Sequence, residues 1–401
     1  MALAALVAAA AATAILVPPR LARTPRSAMS RPLVRASPQN CANLSNVPLT
    51  EPVVSAFGPE TIWESSSPLV LMRSGNGGRS WSSVGPPAKG LWAWCATSAQ
   101  TAWAVTTGVN QYVLGDSPYS VWRTESGGRR WTKVGTAAIP PSVLAWDGMF
   151  LLSLDFVNNS TGWLLVAGVT GISPPIPPRV LLATSDGGVT WSQVPLPGSL
   201  GGPTLAAPGV GFATGARSGL WRTIDAGGSW SQVRGLPGPE LNSRCLVIPA
   251  SLGGFVPALL APGGGLLGVG TVPVTERGAS CSGFQIYGSS DGGAGWHRIA
   301  VAPRAAATAA EGSMALQVLS SKVWLVTSPE PRQLVFYWTY DRGHKWTEVR
   351  PRGLAGAKTS NAFPPTAEFS TSKTGWLATA GGALYRTVDG GRNWRPVKIP
   401  S

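Results

Sequence analysis

One eight-residue pattern occurs seven times in this chain and constrains its fold more than any other feature. Each copy reads Ser or Thr, any residue, Asp, any residue, Gly, any two residues and Trp, with Asn76 and Ser126 replacing Asp in the first two copies. The copies occupy 74–81, 124–131, 184–191, 223–230, 289–296, 339–346 and 387–394. One turn recurring every ~40–60 residues predicts one repeated supersecondary unit, and that size fits the four-stranded blade of a β-propeller.

The residue types of this octapeptide suit a tight turn. Gly supplies the positive φ that such a turn needs, and a short oxygen-bearing side chain accepts the turn's own N–H groups. We therefore interpret the Asp residues as structural caps and not as catalysts or ligands. The closing Trp should begin the next strand and be largely buried between blades, so that Trp230→Ala costs about 3–5 kcal/mol. This structural set comprises Asp186, Asp225, Asp291, Asp341, Asp389, Trp81, Trp131, Trp191, Trp230, Trp296, Trp346 and Trp394.

The sequence around each turn predicts the other strands of a blade. The last copy reads as four short runs within 366–399, alternating and separated by Gly and Ser. A further Trp marks five predicted second strands, for example Trp103 and Trp376, and three predicted third strands, for example Trp338. The prediction is an all-β, seven-bladed β-propeller over 51–401, with four-stranded blades and no strand exchanged between the termini. Gly 50 and Pro 36 fit a chain with many turns.

The N-terminal region differs from the repeats. Residues 2–17 form one apolar run, which predicts that 1–17 is a signal peptide or a signal anchor. Residues 18–50 are rich in Pro, Arg and Ser and predict a disordered linker. Arg20, Arg23 and Arg26 follow the run, whereas a signal peptide carries positive charge before it; taken literally, the positive-inside rule places the propeller in the cytoplasm. A start codon assigned too far downstream would remove this conflict.

The four cysteines favour an exported protein. None forms a CxxC pair, and the chain has only two His, so the sequence offers no metal site. Cys245 and Cys281 map to the same end of the fifth blade and could form a disulfide, which leaves Cys41 and Cys95 as the second pair. Buried free thiols remain the alternative.

The long insertions fall on one face of the predicted propeller. They are mostly second–third connections, at 108–119, 168–178, 271–284 and 328–333, opposite the octapeptide turns. Binding residues concentrate on such loops, so Trp92 and Trp146 are candidate ligand-face aromatics. The alternative is that these two side chains pack beneath the loops.

The face that carries the octapeptide turns has an uneven distribution of charge. Net charge is +14, and +9 remains on the propeller after the five Arg of 18–50 are subtracted. The basic residues in the two positions before the closing Trp fall in copies 6, 7, 1 and 2, which are neighbours around a ring. They are candidate contacts to an acidic protein, an anionic polymer or a membrane surface, unless they form an ordinary solvated face. The candidates are Arg79, Arg129, Arg130, Arg392 and Lys345.

Enzyme classes known on propellers find little support in the residues. A glycosidase needs two carboxylates across the scissile bond, but five of the eight Asp lie in octapeptide turns, leaving Asp116, Asp147 and Asp155 with ten scattered Glu. The Arg-Ile-Pro signature of sialidases is absent, and no Ser/His/Asp set is credible. We assign no catalytic, cofactor-binding or metal-binding residue and expect no nucleic acid partner.

The turn TVDGGRNW and the preceding strand segment TGWLATAGGALYRT resemble the bacterial BNR/Asp-box repeat proteins. Among these, the chain looks most like the seven-bladed photosystem II assembly and stability factor propellers, which share the sialidase-like fold. The resemblance covers about 53–399 and implies an extracytoplasmic, non-catalytic assembly factor with an Arg-rich surface for a client protein. Carried over by turn position, it points to Arg79, Arg129, Arg130 and Arg392.

The sequence therefore predicts a secreted or cell-envelope binding or scaffold propeller, monomeric, without a cofactor, recognising a protein or anionic partner. Association with the membrane would occur through residues 2–17. The alternative is a secreted glycan-active enzyme of the sialidase or xyloglucanase kind.

Overall fold

A computed structural model describes most of the repeat region of the chain. The compact unit that contains the described residues spans Arg35–Ser401. The described residues are 53–66, 70–108, 118–145, 149–169, 178–197, 203–215, 219–234, 255–260, 266–271, 284–301, 315–330, 333–354, 366–379 and 382–400. The predicted signal segment 1–17 and linker 18–50 lie outside them.

The described residues form seven four-stranded sheets, which we name blades 1 to 7 in chain order. Blade 1 contains β1 (Val53–Phe57), β2 (Thr61–Ser66), β3 (Val70–Ser74) and β4 (Ser82–Ser83). Blade 2 contains β5 (Leu91–Ala96), β6 (Ala102–Thr106), β7 (Tyr119–Thr124) and β8 (Thr132–Ala137). Blade 3 follows the short helix α1 (Pro141–Leu144) and contains β9 (Met149–Phe156), β10 (Gly162–Val169), β11 (Arg179–Thr184) and β12 (Ser192–Val194).

The remaining blades repeat this plan. Blade 4 contains β13 (Thr204–Ala207), β14 (Val210–Gly215), β15 (Gly219–Thr223) and β16 (Ser231–Gln232). Blade 5 contains β17 (Phe255–Leu260), β18 (Leu266–Thr271), β19 (Phe284–Ser289) and β20 (His297–Val301). Blade 6 contains β21 (Ala315–Val318), β22 (Trp324–Glu330), β23 (Gln333–Thr339) and β24 (Thr347–Val349). Blade 7 contains β25 (Thr366–Phe369), β26 (Gly375–Ala378), β27 (Leu384–Thr387) and β28 (Arg395–Val397).

Within each sheet the strands follow chain order and pair antiparallel, so every octapeptide turn connects a third strand to a fourth. The prediction of an all-β propeller with four-stranded blades is confirmed. The first and last sheets each take their four strands from contiguous sequence, as expected. Among the residues that the structure describes, no helix is long and apolar enough to span a membrane.

Hydrophobic clusters hold neighbouring blades together. Each cluster in the described part of the chain combines side chains from two successive sheets, because a blade has two apolar faces and buries each against a neighbour. One cluster packs Val54, Ala56 and Ile62 of blade 1 against Trp376 and Leu384 of blade 7. The first and last blades are therefore in direct apolar contact.

Side-chain acceptors on first strands add polar contacts between blades. Glu368 Oε1 in β25 accepts the backbone N–H of Ala56 in β1 at 2.9 Å. Asp155 Oδ2 in β9 likewise accepts the N–H of Leu205 in β13 at 2.8 Å. First strands are sheet edges whose N–H groups have no ladder partner on that side, so these acceptors satisfy donors that would otherwise be buried without a bond.

The Trp residues predicted on second strands are the largest buried side chains of the blades. They are fully or almost fully buried and belong to clusters that join neighbouring blades. The indole N–H of Trp103 also donates to the carbonyl of Gly187, in the turn of the next blade, at 2.9 Å. The set is Trp63, Trp103, Trp163, Trp324 and Trp376.

The closing Trp side chains of the octapeptides pack against the clusters that join neighbouring blades, as expected, but they are not equally buried. Trp394 is buried, but the other six closing Trp side chains are only partly buried. They begin the outermost strand, where one side of the ring faces solvent, and several donate the indole N–H to a nearby carbonyl, as Trp230 does to Pro195 at 2.8 Å. The main apolar contribution therefore comes from the second-strand Trp.

We expect Trp103→Ala to lower the free energy of unfolding by about 3–5 kcal/mol, because it deletes a fully buried ring. Trp230→Ala should cost only about 1–2 kcal/mol, since part of that side chain is already in water. Urea titrations of both variants check this. A larger loss of unfolding free energy for Trp230→Ala than for Trp103→Ala would contradict the conclusion that the second-strand Trp residues make the main apolar contribution.

Candidate functional site

The octapeptide turns close through their own side chains and backbone. In all seven, the hydroxyl of the first residue accepts the N–H of the Gly four positions later, at 2.7–3.1 Å. The third residue accepts the N–H of the seventh, as Asp225 Oδ1 does from Ser229 at 2.8 Å. Hydrogen bonds from the hydroxyl and the N–H of Ser229 lower the pKa of Asp225 to about 2. These carboxylates are held by their own turns, which is the capping geometry that we expected.

The turns also bond to the first–second connection of their own blade. The N–H of the fourth octapeptide residue donates to a carbonyl there, for example Gly127 to Gln100 at 2.8 Å and Gly390 to Lys373 at 2.9 Å. These bonds place both connections on one side of the propeller. We call this surface, made of the octapeptide turns and the first–second connections bonded to them, the turn face.

The structure places all five candidate basic residues on the turn face with exposed side chains: Arg79, Arg129, Arg130, Arg392 and Lys345. The Arg79 side chain is 69% exposed and approaches Glu60 only at 3.9 Å. Arg392 donates through its guanidinium to the carbonyl of Asp389 at 2.8 Å but remains exposed. None of these contacts neutralises the charge, because one is long and the other is to a carbonyl.

Three further basic side chains on the turn face lie outside the five candidates: Arg342, which the sequence already placed in the blade 6 turn, and Lys322 and Lys373, which the sequence reasoning missed. Arg342 occupies the fourth position of the blade 6 octapeptide, and its N–H donates to the carbonyl of Lys322 in the first–second connection. Lys373 occupies the corresponding connection of blade 7. All three side chains are exposed. The signal was present in the sequence, because Lys322 lies two positions before the second-strand Trp324 and Lys373 lies two positions before the Gly375-Trp376 pair.

A second group of Arg residues on this face is structural. Each lies immediately before an octapeptide and reaches the turn face of the next blade. Arg73 donates to the carbonyl of Ala99 at 3.0 Å, Arg222 to Gly292 at 2.7 Å, and Arg386 to Pro59 at 3.0 Å. The guanidinium groups of Arg73, Arg123 and Arg386 also lie over second-strand Trp rings at 5.2–5.6 Å. These Arg side chains link neighbouring blades and are therefore not available to bind a partner.

The octapeptides of blades 3, 4 and 5 complete the charge pattern. Each contains one Asp and no Lys, Arg or Glu. The Asp residues of these turns, Asp186, Asp225 and Asp291, all have a lowered pKa. The turn face is therefore basic over blades 6, 7, 1 and 2, a region that we call the basic arc, and weakly acidic over the others.

Most of the opposite, insertion-bearing face lies outside the described residues. This includes the candidate aromatic Trp146. Trp92 is described and is only 5% exposed, within the cluster that joins blades 2 and 3. The ligand-face role predicted for Trp92 is therefore wrong: the side chain packs in the core, which was the alternative interpretation.

Three carboxylates in the described part of the chain are buried, whereas Glu60, Glu125 and Glu348 are exposed. Asp155, Glu64 and Glu368 are buried in strands that face neighbouring blades. Two of them accept backbone N–H groups of the next blade, as described above. Asp116 and Asp147 lie outside the described residues. No group of three metal-ligating side chains occurs among the residues that were described.

Comparisons with known proteins indicate the fold. No protein-family model and no curated protein matches this chain. Among solved structures, it is similar to the GH74 xyloglucanase from Xanthomonas campestris, with TM-score 0.51 and 14% identity over 87% of this chain and 55% of that chain. It is also similar to YCF48 bound to a D1 peptide (TM-score 0.41, 18% identity, 75% of this chain and 79% of that chain). YCF48 from Cyanidioschyzon merolae gives TM-score 0.45 and 18% identity over 80% of this chain and 90% of that chain. The likeness to the xyloglucanase supports the β-propeller fold, and this chain spans about half of that enzyme.

We expect Asp155 to make the stability of the propeller depend on pH. Burial raises its pKa from 3.8 to about 7, although the N–H of Leu205 opposes the shift. The folded state then holds the proton more tightly than the unfolded state, so stability should fall as pH rises from about 4 through about 7. Asp155→Asn keeps an oxygen that can accept the Leu205 N–H without a charge. We expect this variant to lose that pH dependence and to exceed the parent's stability at about pH 8.

Denaturant midpoints at about pH 5 and about pH 8 measure this effect. Asp186→Asn is the matched control, because hydrogen bonds lower the pKa of Asp186 to about 2 despite partial desolvation, and it stays ionised throughout that interval. An Asp155→Asn variant that follows the parent at both pH values would contradict the role of Asp155.

Cys95 is buried in β5 and is disulfide-bonded. The other cysteines, Cys41, Cys245 and Cys281, lie outside the described residues, so the pairing stays a prediction. We expect peptide mapping without reductant to recover Cys41–Cys95 and Cys245–Cys281. The second bond closes a span of 36 residues (281 minus 245) and should stabilise the fold by about 3–4 kcal/mol. Recovery of a Cys95–Cys245 or Cys95–Cys281 peptide would show that both predicted pairs are wrong.

Proposed function

We propose that this chain is a non-catalytic, extracytoplasmic binding or scaffold propeller, a single seven-bladed ring that docks an acidic protein partner on its basic arc. The observation that carries the proposal is the segregation of free charge on the turn face. Exposed cations occupy the variable turn positions of blades 6, 7, 1 and 2, whereas the octapeptides of blades 3, 4 and 5 carry only Asp.

The turn chemistry supports a function for these cations. Closure of the octapeptide uses its first, third, fifth and seventh residues, the last through its backbone N–H. The side chains of Arg79, Arg129 and Arg130 take no part in those closure bonds. Cations that make no structural contact leave a positive surface. Such a surface attracts an anionic partner over about one electrostatic screening length of the solution.

A location outside the cytoplasm is supported by the cysteines and the N-terminal sequence. Cys95 is in a disulfide, and structural disulfides persist in oxidising compartments. The apolar run at 2–17 is of the length of a signal-peptide core. Membrane attachment through that run belongs to the same proposal.

Catalysis receives no support from a specific observation in the described residues. Asp155 and Glu368 are committed to contacts between blades, and the likeness to a xyloglucanase is one of fold. A glycan-active enzyme would need two carboxylates converging on one cleft.

The test is retention of envelope proteins by the immobilised propeller. We expect retention at low salt to weaken steeply above about 0.15 M, because exposed cations are then screened within about 8 Å. Arg79→Glu with Arg129→Glu should abolish it while leaving the melting temperature within a few degrees of the parent's.

The matched control is Arg234→Glu with Arg298→Glu. It makes the same change in net charge on exposed residues of blades 4 and 5, outside the basic arc. If both double variants lose the same bound proteins equally, general charge and not the basic arc is responsible. If the Arg79/Arg129 variant retains them as well as the parent, the proposal fails.

A further inference from the structure

We infer that the recognition centre of the turn face lies on blades 6 and 7, around Tyr340, Arg342 and Val388, and that it takes an acidic polypeptide segment carrying apolar side chains. This inference rests on the proposed function and deepens it, because it separates a protein ligand from a polyanion. The residues that carry it are different from the five cations of the basic arc that the sequence identified.

Exposed apolar side chains are the first observation. Tyr340 is 53% exposed and Val388 is 61% exposed. Both occupy the second position of their octapeptide, in neighbouring blades. In blades 1, 2, 3 and 5 that position holds Gly75, Glu125, Ser185 and Ser290. An apolar residue is therefore not required there for turn closure, and the two lie within the basic arc.

The two turns are physically linked. The Tyr340 ring stacks on the Trp338 ring, with centroids 6.1 Å apart and an interplanar angle of 19°. The indole N–H of Trp338 donates to the carbonyl of Gly390, two residues beyond Val388, at 3.0 Å. Trp338 is buried and contacts both the Tyr340 ring and the blade 7 turn, so it links the two turns. A stacked, partly exposed Tyr loses little conformational entropy on binding and is typical of interface hot spots.

Arg342 is the second observation. It has φ 64°, in the left-handed region, where five of the other six octapeptides have Gly and blade 4 has Ala226. A long side chain at this backbone conformation costs energy that Gly avoids, and such costs concentrate at functional positions. The guanidinium Nε donates to the carbonyl of Ser321 at 3.2 Å, which fixes the side chain beside the first–second connection.

Charge around the pair is positive and exposed. Lys345 and Arg392 lie in the two octapeptides, and Lys322 and Lys373 lie in the connections bonded to them. Asp341 and Asp389 are engaged in hydrogen bonds within their own turns. A lipid headgroup would use the cations but not Tyr340 and Val388. An acidic segment with aromatic or aliphatic residues uses both, since apolar contact in the centre and charge at the rim is the usual interface arrangement.

Two labelled synthetic peptides of equal negative charge test the inference. One repeats Asp-Phe-Asp-Ser and the other repeats Asp-Ser, so that only the first offers aromatic side chains. We expect the Phe-containing peptide to bind the parent propeller about tenfold more tightly, as expected for burying part of an aromatic ring. Tyr340→Ser should remove that preference, while the weaker binding of the Asp-Ser peptide remains.

Arg342→Gly is the second variant, because Gly adopts the positive φ of this position without strain. Its melting temperature should equal or exceed the parent's, and its affinity for the Phe-containing peptide should fall, so a loss of binding cannot be attributed to unfolding. The matched controls make the same kinds of change on blade 4, outside the basic arc. The first is Ile224→Ser, which changes an exposed apolar residue at the second octapeptide position. The second is Ala226→Gly, which replaces a non-glycine residue that, like Arg342, has a positive φ.

The outcomes separate this inference from the proposed function. If both peptides bind equally and both are lost in the Arg79→Glu/Arg129→Glu variant, the basic arc binds anions and the recognition centre is wrong. If Tyr340→Ser and Ile224→Ser reduce the peptide preference equally, the centre is wrong as well. If neither peptide binds the parent, the inference fails, whereas the proposed function is still decided by the retention of envelope proteins.

Discussion

The spacing between blades depends on one hydrogen bond repeated seven times, from the N–H of a turn Gly to the hydroxyl four residues before it. The bond holds that Gly at positive φ and presents its backbone to the preceding blade. A Cβ on Gly128 would lie 2.5 Å from the Cβ of Val84, and one on Gly391 would lie 3.0 Å from the Phe336 ring. Gly is therefore required both for the turn and for the close approach of blades.

Because closure uses a fixed subset of turn positions and the fourth position favours Gly, the second and sixth positions are the ones that can change at little cost to the fold. The second position accepts Gly75, Glu125 and Tyr340, and the sixth accepts Arg79 and Val189. This freedom lets one scaffold carry a basic arc, an acidic arc and exposed apolar residues on the same surface. Function on this face must be sought in the variable positions, since the invariant ones are committed to the turn.

The sequence predicts the strands well because each blade repeats the same turn and the same second-strand Trp. Sequence reasoning failed to predict how deeply individual Trp side chains are buried. Trp230 and Trp103 look alike in sequence, but Trp103 is fully buried between blades, whereas Trp230 precedes the outer strand and is only partly covered by the preceding blade. Trp92 likewise lies in an inner strand, where both faces are covered. A repeat pattern specifies the order of strands, whereas exposure depends on which neighbour covers each face.

The sequence does not show which charged side chains are free to contact a partner. Arg73 and Arg79 are six positions apart, yet the first bonds to a carbonyl of the next blade and the second projects into solvent. The same distinction applies to carboxylates: Asp155 and Glu368 accept buried backbone N–H groups at the first-strand edge of the next blade, although scattered acidic residues in a sequence invite a catalytic interpretation. Net charge therefore overstates the surface available to a partner. The cations that can bind are those left over after blade-to-blade contacts are satisfied, and on the turn face these belong to blades 6, 7, 1 and 2.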